Sequence, residues 1–194
     1  MKYKINEIFY SIQAEGEFAG SPAVFVRFSG CNLACSFCDT QHEQGTFFTK
    51  DELEQEVEKL TKGDKNIIII LTGGEPTIQL KESERLFSKY KTHLESNGMF
   101  EVPSWVDYVV FSPKTPLKLD TMKRMPNALK FIYTKTSQDF IFKLGLQALK
   151  TNIKVFIQPL EIDGEMNIKE TLEFVLNNPQ FKLSLQIHKL IGVR

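Results

Sequence analysis

Ile67-Ile68-Ile69-Ile70-Leu71 is an unbroken aliphatic run that ends in Thr72-Gly73-Gly74. A strand apolar on both faces must be covered on both, which places it inside a parallel sheet fed by crossover connections. The rest of the chain repeats that alternation. Residues 23–28 read as a first strand, rich in β-branched and aromatic side chains. Thr49-Lys50-Asp51-Glu52 is a capping box, and Leu53, Val57 and Leu60 then recur at helical spacing until Gly63 ends the helix. Residues 80–90 read as a helix through Leu80, Leu86, Phe87 and Tyr90, and residues 93–96 as a weak strand closed by Asn97-Gly98. Further strands are expected at 108–111, halted by Ser112-Pro113, at 129–133, at 153–158, stopped by Pro159, and at 182–187. Helices are expected at 137–150, capped by Ser137, and at 168–176.

Strands separated by helices imply βαβ units with right-handed crossovers. About six core strands are too few for a closed eightfold barrel. The fold expected is α/β, a compact partial (β/α) barrel of about six parallel strands, built as a single domain over residues 1–194. Ligands in such folds sit at the carboxyl ends of the strands. That puts Ser29-Gly30, Thr72-Gly73-Gly74, Ser112-Pro113-Lys114 and Gln158-Pro159 on one rim. Composition removes other classes. With 24 Lys+Arg against 24 Asp+Glu there is no basic excess to neutralise nucleic-acid phosphates. The aliphatic run is far shorter than the roughly 20 residues of a membrane span. Met1 to Glu7 lacks the apolar stretch of a secretory signal, so the expected setting is cytoplasmic, with neither nucleic acid nor membrane as partner.

The three cysteines, Cys31, Cys35 and Cys38, all fall in one short segment, Gly30-Cys31-Asn32-Leu33-Ala34-Cys35-Ser36-Phe37-Cys38-Asp39-Thr40. An odd number so crowded does not make a disulfide framework. Three thiolates spaced C-x3-C-x2-C suit a four-iron cluster that keeps one iron open for an outside chelate. Three other readings compete. The spacing also matches one helical face, but Gly30, Asn32 and Ser36 open a helix poorly. A Cys3His zinc site would recruit His42. A redox pair of Cys35 and Cys38 leaves Cys31 unexplained.

This cysteine triplet after a first barrel strand resembles the radical S-adenosylmethionine superfamily. Leu71-Thr72-Gly73-Gly74-Glu75-Pro76 is similar to that superfamily's second signature, a Gly-rich turn whose backbone approaches the methionyl amine. Phe9-Tyr10-Ser11-Ile12-Gln13-Ala14-Glu15-Gly16, then Gly20 to Arg27, Cys38-Asp39-Thr40, Ser112-Pro113-Lys114 and the closing Gln186 to Arg194 resemble the 7-carboxy-7-deazaguanine synthases over nearly the whole chain. One departure is Ala14, where that family commonly has glycine.

The resemblance implies conversion of 6-carboxy-5,6,7,8-tetrahydropterin to 7-carboxy-7-deazaguanine with loss of ammonia, on the way to queuosine and other 7-deazapurines. It implies a [4Fe-4S] cluster on Cys31, Cys35 and Cys38, with S-adenosylmethionine as a catalytic cofactor and no catalytic side chain beyond the 5′-deoxyadenosyl radical. It carries Ile12, Gln13, Ala14, Glu15, Arg27, Thr72 and Arg194 over as substrate contacts. Phe37, Cys38, Asp39, Gly74, Ser112, Pro113, Lys114 and Gln158 carry over as S-adenosylmethionine contacts, and Thr40 as a magnesium ligand. The residue types fit those roles. Arg27 sits on the strand face opposite Val24, Val26 and Phe28, where a cation needs an anionic partner such as a substrate carboxylate, or else one of the chain's own carboxylates. Gln13 and Glu15 suit the donor–acceptor edge of an aminopyrimidinone, or else form a solvated loop pair. The family also implies a homodimer, for which Phe18, Phe47, Phe48 and Phe100 in expected loops could supply apolar contact, and an electron donor such as flavodoxin or ferredoxin. Two alternatives remain at this point: an activase that makes a glycyl radical on a partner protein, and a zinc-stabilised domain without catalysis.

Overall fold

In a computed structural model that describes residues 2–38, 40–117 and 119–193, the sheet runs in the order β11-β8-β7-β6-β5-β4-β2-β1-β3. Its parallel strands are β2 (Pro22–Phe28), β4 (Ile68–Gly73), β5 (Thr92–Ser96), β6 (Tyr108–Phe111), β7 (Ala128–Tyr133), β8 (Lys154–Pro159) and the short β11 (Lys182–Leu183). Each pairs with the next in sequence. Every crossover therefore steps the same way, and the sheet curls into a partial barrel instead of reversing as a doubly wound sheet does.

Two antiparallel strands that the sequence reading passed over, β1 (Lys2–Ile12) and β3 (Thr46–Thr49), cover the β2 edge. A one-residue bulge near Asn6 shifts β1 against β2, so that Glu7 comes to face Arg27 and Phe9 faces Phe25. Bulges re-aim side chains in this way beside functional sites.

Alternation along the strands separates two faces. Val24, Val26, Phe28, Ile69, Leu71, Leu94, Val109, Leu129, Phe131, Val155 and Ile157 point outward into the main core. There they meet Leu53 and Val57 of α1 (Lys50–Thr61), Ile141, Leu144 and Ala148 of α2 (Gln138–Leu149), and Phe174 and Val175 of α3 (Ile168–Asn177). Thr49 caps α1 with the full capping box, Thr49 Oγ1 accepting from the Glu52 amide and Glu52 accepting from the Thr49 amide at 2.7 Å. α2 begins as expected, but the Ser137 hydroxyl donates back to the Ile132 and Thr134 carbonyls and caps no helical amide.

One expected helix is absent and one expected strand is cut short. Residues 81–90 form no helix: Phe87 takes a left-handed φ of 54°, and its amide donates to Glu54 Oε1 of α1 at 2.9 Å. Leu80, Leu86, Phe87 and Tyr90 are buried nonetheless, because this loop covers the outer sheet face where a crossover helix would lie. Among the described residues no α-helix joins β5 to β6 or β6 to β7; Val102, Trp105, Val106, Leu117, Leu119 and Met122 fill that space, and the Arg124 guanidinium donates to the Pro103 and Val106 carbonyls. The last expected strand stops at Leu183, after which the chain turns into the short helix α4 (Ile187–Ile191). Phe48 packs on the core from β3 while Phe47 beside it is exposed, and Phe18 is a partly buried plug against Ala23, Ile68 and Ile70. Among the described residues no helix is long and apolar enough to cross a membrane.

The barrel floor is aromatic. The Phe18 ring lies 4.4 Å from His93 and 4.9 Å from Tyr108, whose hydroxyl donates to Glu17 at 2.6 Å. Burial pushes His93 down to about 4. It is thus neutral in the fold, whereas the unfolded chain takes up a proton below about 6.5. Stability should therefore fall as pH drops from about 6.5 through about 4, by at most about 3 kcal/mol from this group. Urea melts of wild type and His93→Phe at pH 7 and pH 4.5 check it: the gap between the two proteins should narrow or reverse at the lower pH.

Candidate active site

The inward positions climb from the floor in steps of two residues: Ala23, Phe25, Arg27 on β2; Ile68, Ile70, Thr72 on β4; His93, Glu95, Asn97 along and just past β5; Ala128, Lys130, Ile132 on β7; and Lys154, Phe156, Gln158 on β8. Above the aromatic floor they line a cavity of about 610 Å³ open at the carboxyl ends of the strands. The segment after β2 and the segment around α4 complete its walls. The latter is clasped to the end of β1: Gly16 N–H donates to Ser184 Oγ at 2.9 Å and Ile187 N–H to the Ala14 carbonyl at 3.2 Å.

Cys31, Cys35 and Cys38 all face this cavity, none is in a disulfide, and Cys38 is exposed. Burial pushes the Cys35 thiol up, the nearby Lys114 charge opposing and the other two thiols adding to it. Among the described residues no three His, Cys, Asp or Glu side chains gather tightly enough to hold a single metal ion, so the Cys3His grouping with His42 is not formed. Three thiols facing one cavity suit an iron–sulfur cluster.

Beside the start of this segment runs the Gly-rich turn. Gly73 has a φ of 109°, and a Cβ there would lie 2.5 Å from the Phe28 carbonyl oxygen. A Cβ on Gly74 would lie 2.1 Å from the Gly30 carbonyl oxygen, since the Glu75 amide donates to that same oxygen at 2.9 Å. The turn thus needs glycine to press against the start of the cysteine segment. Lys114 stands over the Phe37 ring, 5.7 Å from its centroid, and burial together with the Lys130 charge pushes its ammonium down. Gln158 is buried on the cavity wall with Oε1 unpartnered, an acceptor that a bound ligand would satisfy.

Deeper lies a buried charge cluster. Lys130 Nζ donates to Glu15 and, at 2.7 Å, to Glu95. Gln186 Nε2 donates to Glu15 Oε1 at 3.0 Å, and Gln13 accepts from the Glu15 amide at 3.2 Å. Burial pushes the Glu15 carboxyl up, but Lys130 and Gln186 outweigh it and hold it below the usual range. Glu15 and Glu95 in turn hold the Lys130 ammonium well above its usual range despite burial. Glu15 is therefore not part of a solvated loop pair. Arg27 does pair with one of the chain's own carboxylates: Nη1 lies 3.3 Å from Glu7 Oε2, with the guanidinium over the Phe9 ring and Phe9 stacked on Phe25. One contact to Glu7 leaves further guanidinium donors for a ligand in the cavity.

The cavity brings together Ile12, Gln13, Ala14, Glu15, Arg27, Thr72, Phe37, Cys38, Gly74, Ser112, Lys114, Gln158, Cys31, Cys35 and Thr40. Pro113 is buried behind the wall between Ser112 and Lys114 and does not line it. Asp39 and Arg194 lie outside the described residues. The sequence reading missed Glu95, Lys130, Gln186 and His188, all on the walls. A signal existed: a lysine at the middle inward position of an otherwise apolar β7 must have a buried partner.

Comparisons with known proteins agree with this geometry. Residues 25–175 match the family model described as the radical SAM superfamily. The chain is 43% identical to a 7-carboxy-7-deazaguanine synthase of Bacteroides thetaiotaomicron over the full length of both, and 37% identical to one of Haemophilus influenzae over 98% of this chain and 94% of that protein. The crystal structure of QueE from Escherichia coli, 22% identical, shares the fold with a TM-score of 0.70 over 95% of this chain and 94% of that one.

Proposed function

Because this chain belongs to the 7-carboxy-7-deazaguanine synthases of the radical SAM superfamily, we propose that its cavity converts 6-carboxy-5,6,7,8-tetrahydropterin to 7-carboxy-7-deazaguanine and ammonia. The observation that carries this reading is the pairing, in one cavity, of three thiols with a buried polar cluster of Gln13, Glu15, Glu95 and Lys130.

The residues fit a [4Fe-4S] cluster with one open iron: three thiols facing one cavity, a glycine turn without side chains beside them, and an unsatisfied buried acceptor on Gln158. Bound there, the cluster and S-adenosylmethionine would supply hydrogen-abstracting radical chemistry. The side chains bind and orient. Gly74, Ser112, Lys114, Gln158 and Phe37 surround the cofactor, with Gln158 Oε1 receiving a donor from it. Glu15, kept ionised by Lys130, accepts from the amino-pyrimidinone edge of the pterin, and Gln13 completes that donor–acceptor pattern. Ile12 and Ala14 hold the same segment against the substrate, Thr72 contacts it beside Arg27, and Arg27, steadied by Glu7, takes its carboxylate. Thr40 would offer one weak hydroxyl ligand to a magnesium ion. Asp39 and Arg194 carry over by family pattern alone. The reaction is redox-neutral overall, since substrate minus ammonia has the composition of the product, which is what lets the hydrogen be returned.

One domain carries this chemistry. We further infer a homodimer, to which exposed Phe47 and Phe100 contribute apolar surface, a one-electron donor of the flavodoxin or ferredoxin kind, and a reducing cytoplasm that keeps the thiols unpaired. The test is anaerobic turnover of cluster-reconstituted protein with 6-carboxytetrahydropterin, S-adenosylmethionine, magnesium and a reductant. The expected product has the mass of 7-carboxy-7-deazaguanine and is released with ammonia. 5′-Deoxyadenosine without deazaguanine would reject the substrate and favour an activase.

A further inference from the structure

The acidic residue of the Gly-rich turn has no role in the chemistry above. Glu75 follows Gly74, yet its side chain is fully buried and is not among the cavity-lining groups. Its carboxyl group accepts from the Thr77 amide at 3.1 Å, the Thr77 hydroxyl, the Ser96 hydroxyl at 2.9 Å and the Asn97 amide at 2.7 Å. It therefore binds the turn after β4 to the end of β5.

Asn97 carries the link onward. Its Oδ1 accepts from the Met99 amide at 2.9 Å, which fixes the orientation of the side-chain amide, and its Nδ2 donates to Asn32 Oδ1 at 2.8 Å. Asn32 lies next to Cys31 in the cysteine segment. The Asn32 amide group also donates to Met99 Sδ at 3.3 Å, so two contacts tie it to the stretch after β5. On the other side of Cys31, the Glu75 backbone amide holds the Gly30 carbonyl at 2.9 Å. Cys31 is thus gripped between two anchors, and both lead back to Glu75.

We propose that Asn97 and Asn32 are a positioning pair that sets where Cys31 presents its thiolate to the cluster, with Glu75 fixing Asn97. Neither asparagine ligates iron. They act as outer-shell partners, whose loss typically weakens metal retention 10- to 100-fold. The inference rests on the cluster reading, and its test separates the two.

Wild type, Asn97→Ala, Asn97→Asp, Asn32→Ala and the double Asn32→Ala/Asn97→Ala are reconstituted anaerobically. Iron and sulfide per chain are measured, then the rate of iron loss to a chelator, alongside the electron paramagnetic resonance spectrum of the reduced protein. Both Asn97 variants and Asn32→Ala should lose iron at least about tenfold faster than wild type. The double variant should fall well short of the combined single effects, because the Asn32–Asn97 bond is lost in all three. Asn32→Asp, reconstituted in the same way, keeps the acceptor for Asn97 and should retain iron near the wild-type rate. Asn32 is exposed, so its variants report even if the Asn97 variants fold poorly. Wild-type loss rates in Asn32→Ala, or single effects that add in the double, would overturn the pairing. Wild-type protein that takes up no iron and sulfide would overturn the cluster reading instead.

Discussion

Replacing Lys130 by methionine should abolish turnover and lower unfolding stability by about 3–5 kcal/mol, the usual cost of removing one partner from a buried ion pair. The side chains of Lys130, Glu15 and Glu95 are only 11%, 14% and 16% exposed, so no solvent shell takes over when the ammonium is lost. Two carboxylates would then share one buried site, and one of them must take a proton. A protonated Glu15 presents a donor where the pterin edge also presents one, so substrate binding fails together with stability. Adding Glu95→Gln removes the repulsion and should recover part of the stability without restoring turnover. Denaturant melts and substrate titration separate the two effects. A Lys130→Met protein with wild-type stability and unchanged substrate affinity would show that the cluster is neither load-sharing nor part of the substrate site.

Gly74→Ala should cut turnover by at least about 100-fold, the scale of effect that an ångström of misplacement produces at a reacting centre. Its Cβ would meet the Gly30 carbonyl oxygen at 2.1 Å and its carbon at 2.7 Å, both backbone atoms that no rotamer change can move aside. Gly30 must shift, and Cys31 shifts with it. Overpacking of this kind costs about 1–3 kcal/mol, so the variant should still fold. Iron content per chain and kcat read the result; an alanine variant with full iron and full rate would mean that the turn does not seat the cysteine segment.

Where local signals coincide with tertiary demands, the sequence is legible. Tyr108–Phe111 and the Thr49 capping box appear where their residues predict them, and the inward face of Ala23, Phe25 and Arg27 follows from alternation alone. Residues 81–90 mislead because their apolar side chains are buried by a loop, and what stabilises that loop is remote: the Glu54 carboxylate on α1 and an uncovered sheet face. The same applies to the stretch around Val102 and Trp105, held by Arg124 and by Trp105 Nε1 donating to the Lys81 carbonyl at 2.9 Å. The cysteine wall, the glycine turn and Glu15 were all apparent as motifs. Lys130 and Glu95 were not, because a lysine on the inward face of an apolar strand signals that a buried partner exists but not which residue supplies it. Gln186 reaches Glu15 only through a turn at Ser184 where continued strand was expected.

The central claim is that this cavity uses S-adenosylmethionine as a returning cofactor on a small pterin. Counting 7-carboxy-7-deazaguanine formed against S-adenosylmethionine lost, in one anaerobic reaction, tests it directly. The account expects many product molecules for each S-adenosylmethionine consumed, with deuterium placed on the substrate's abstracted position appearing in the cofactor pool. One 5′-deoxyadenosine for every deazaguanine, or deoxyadenosine with none, would contradict it.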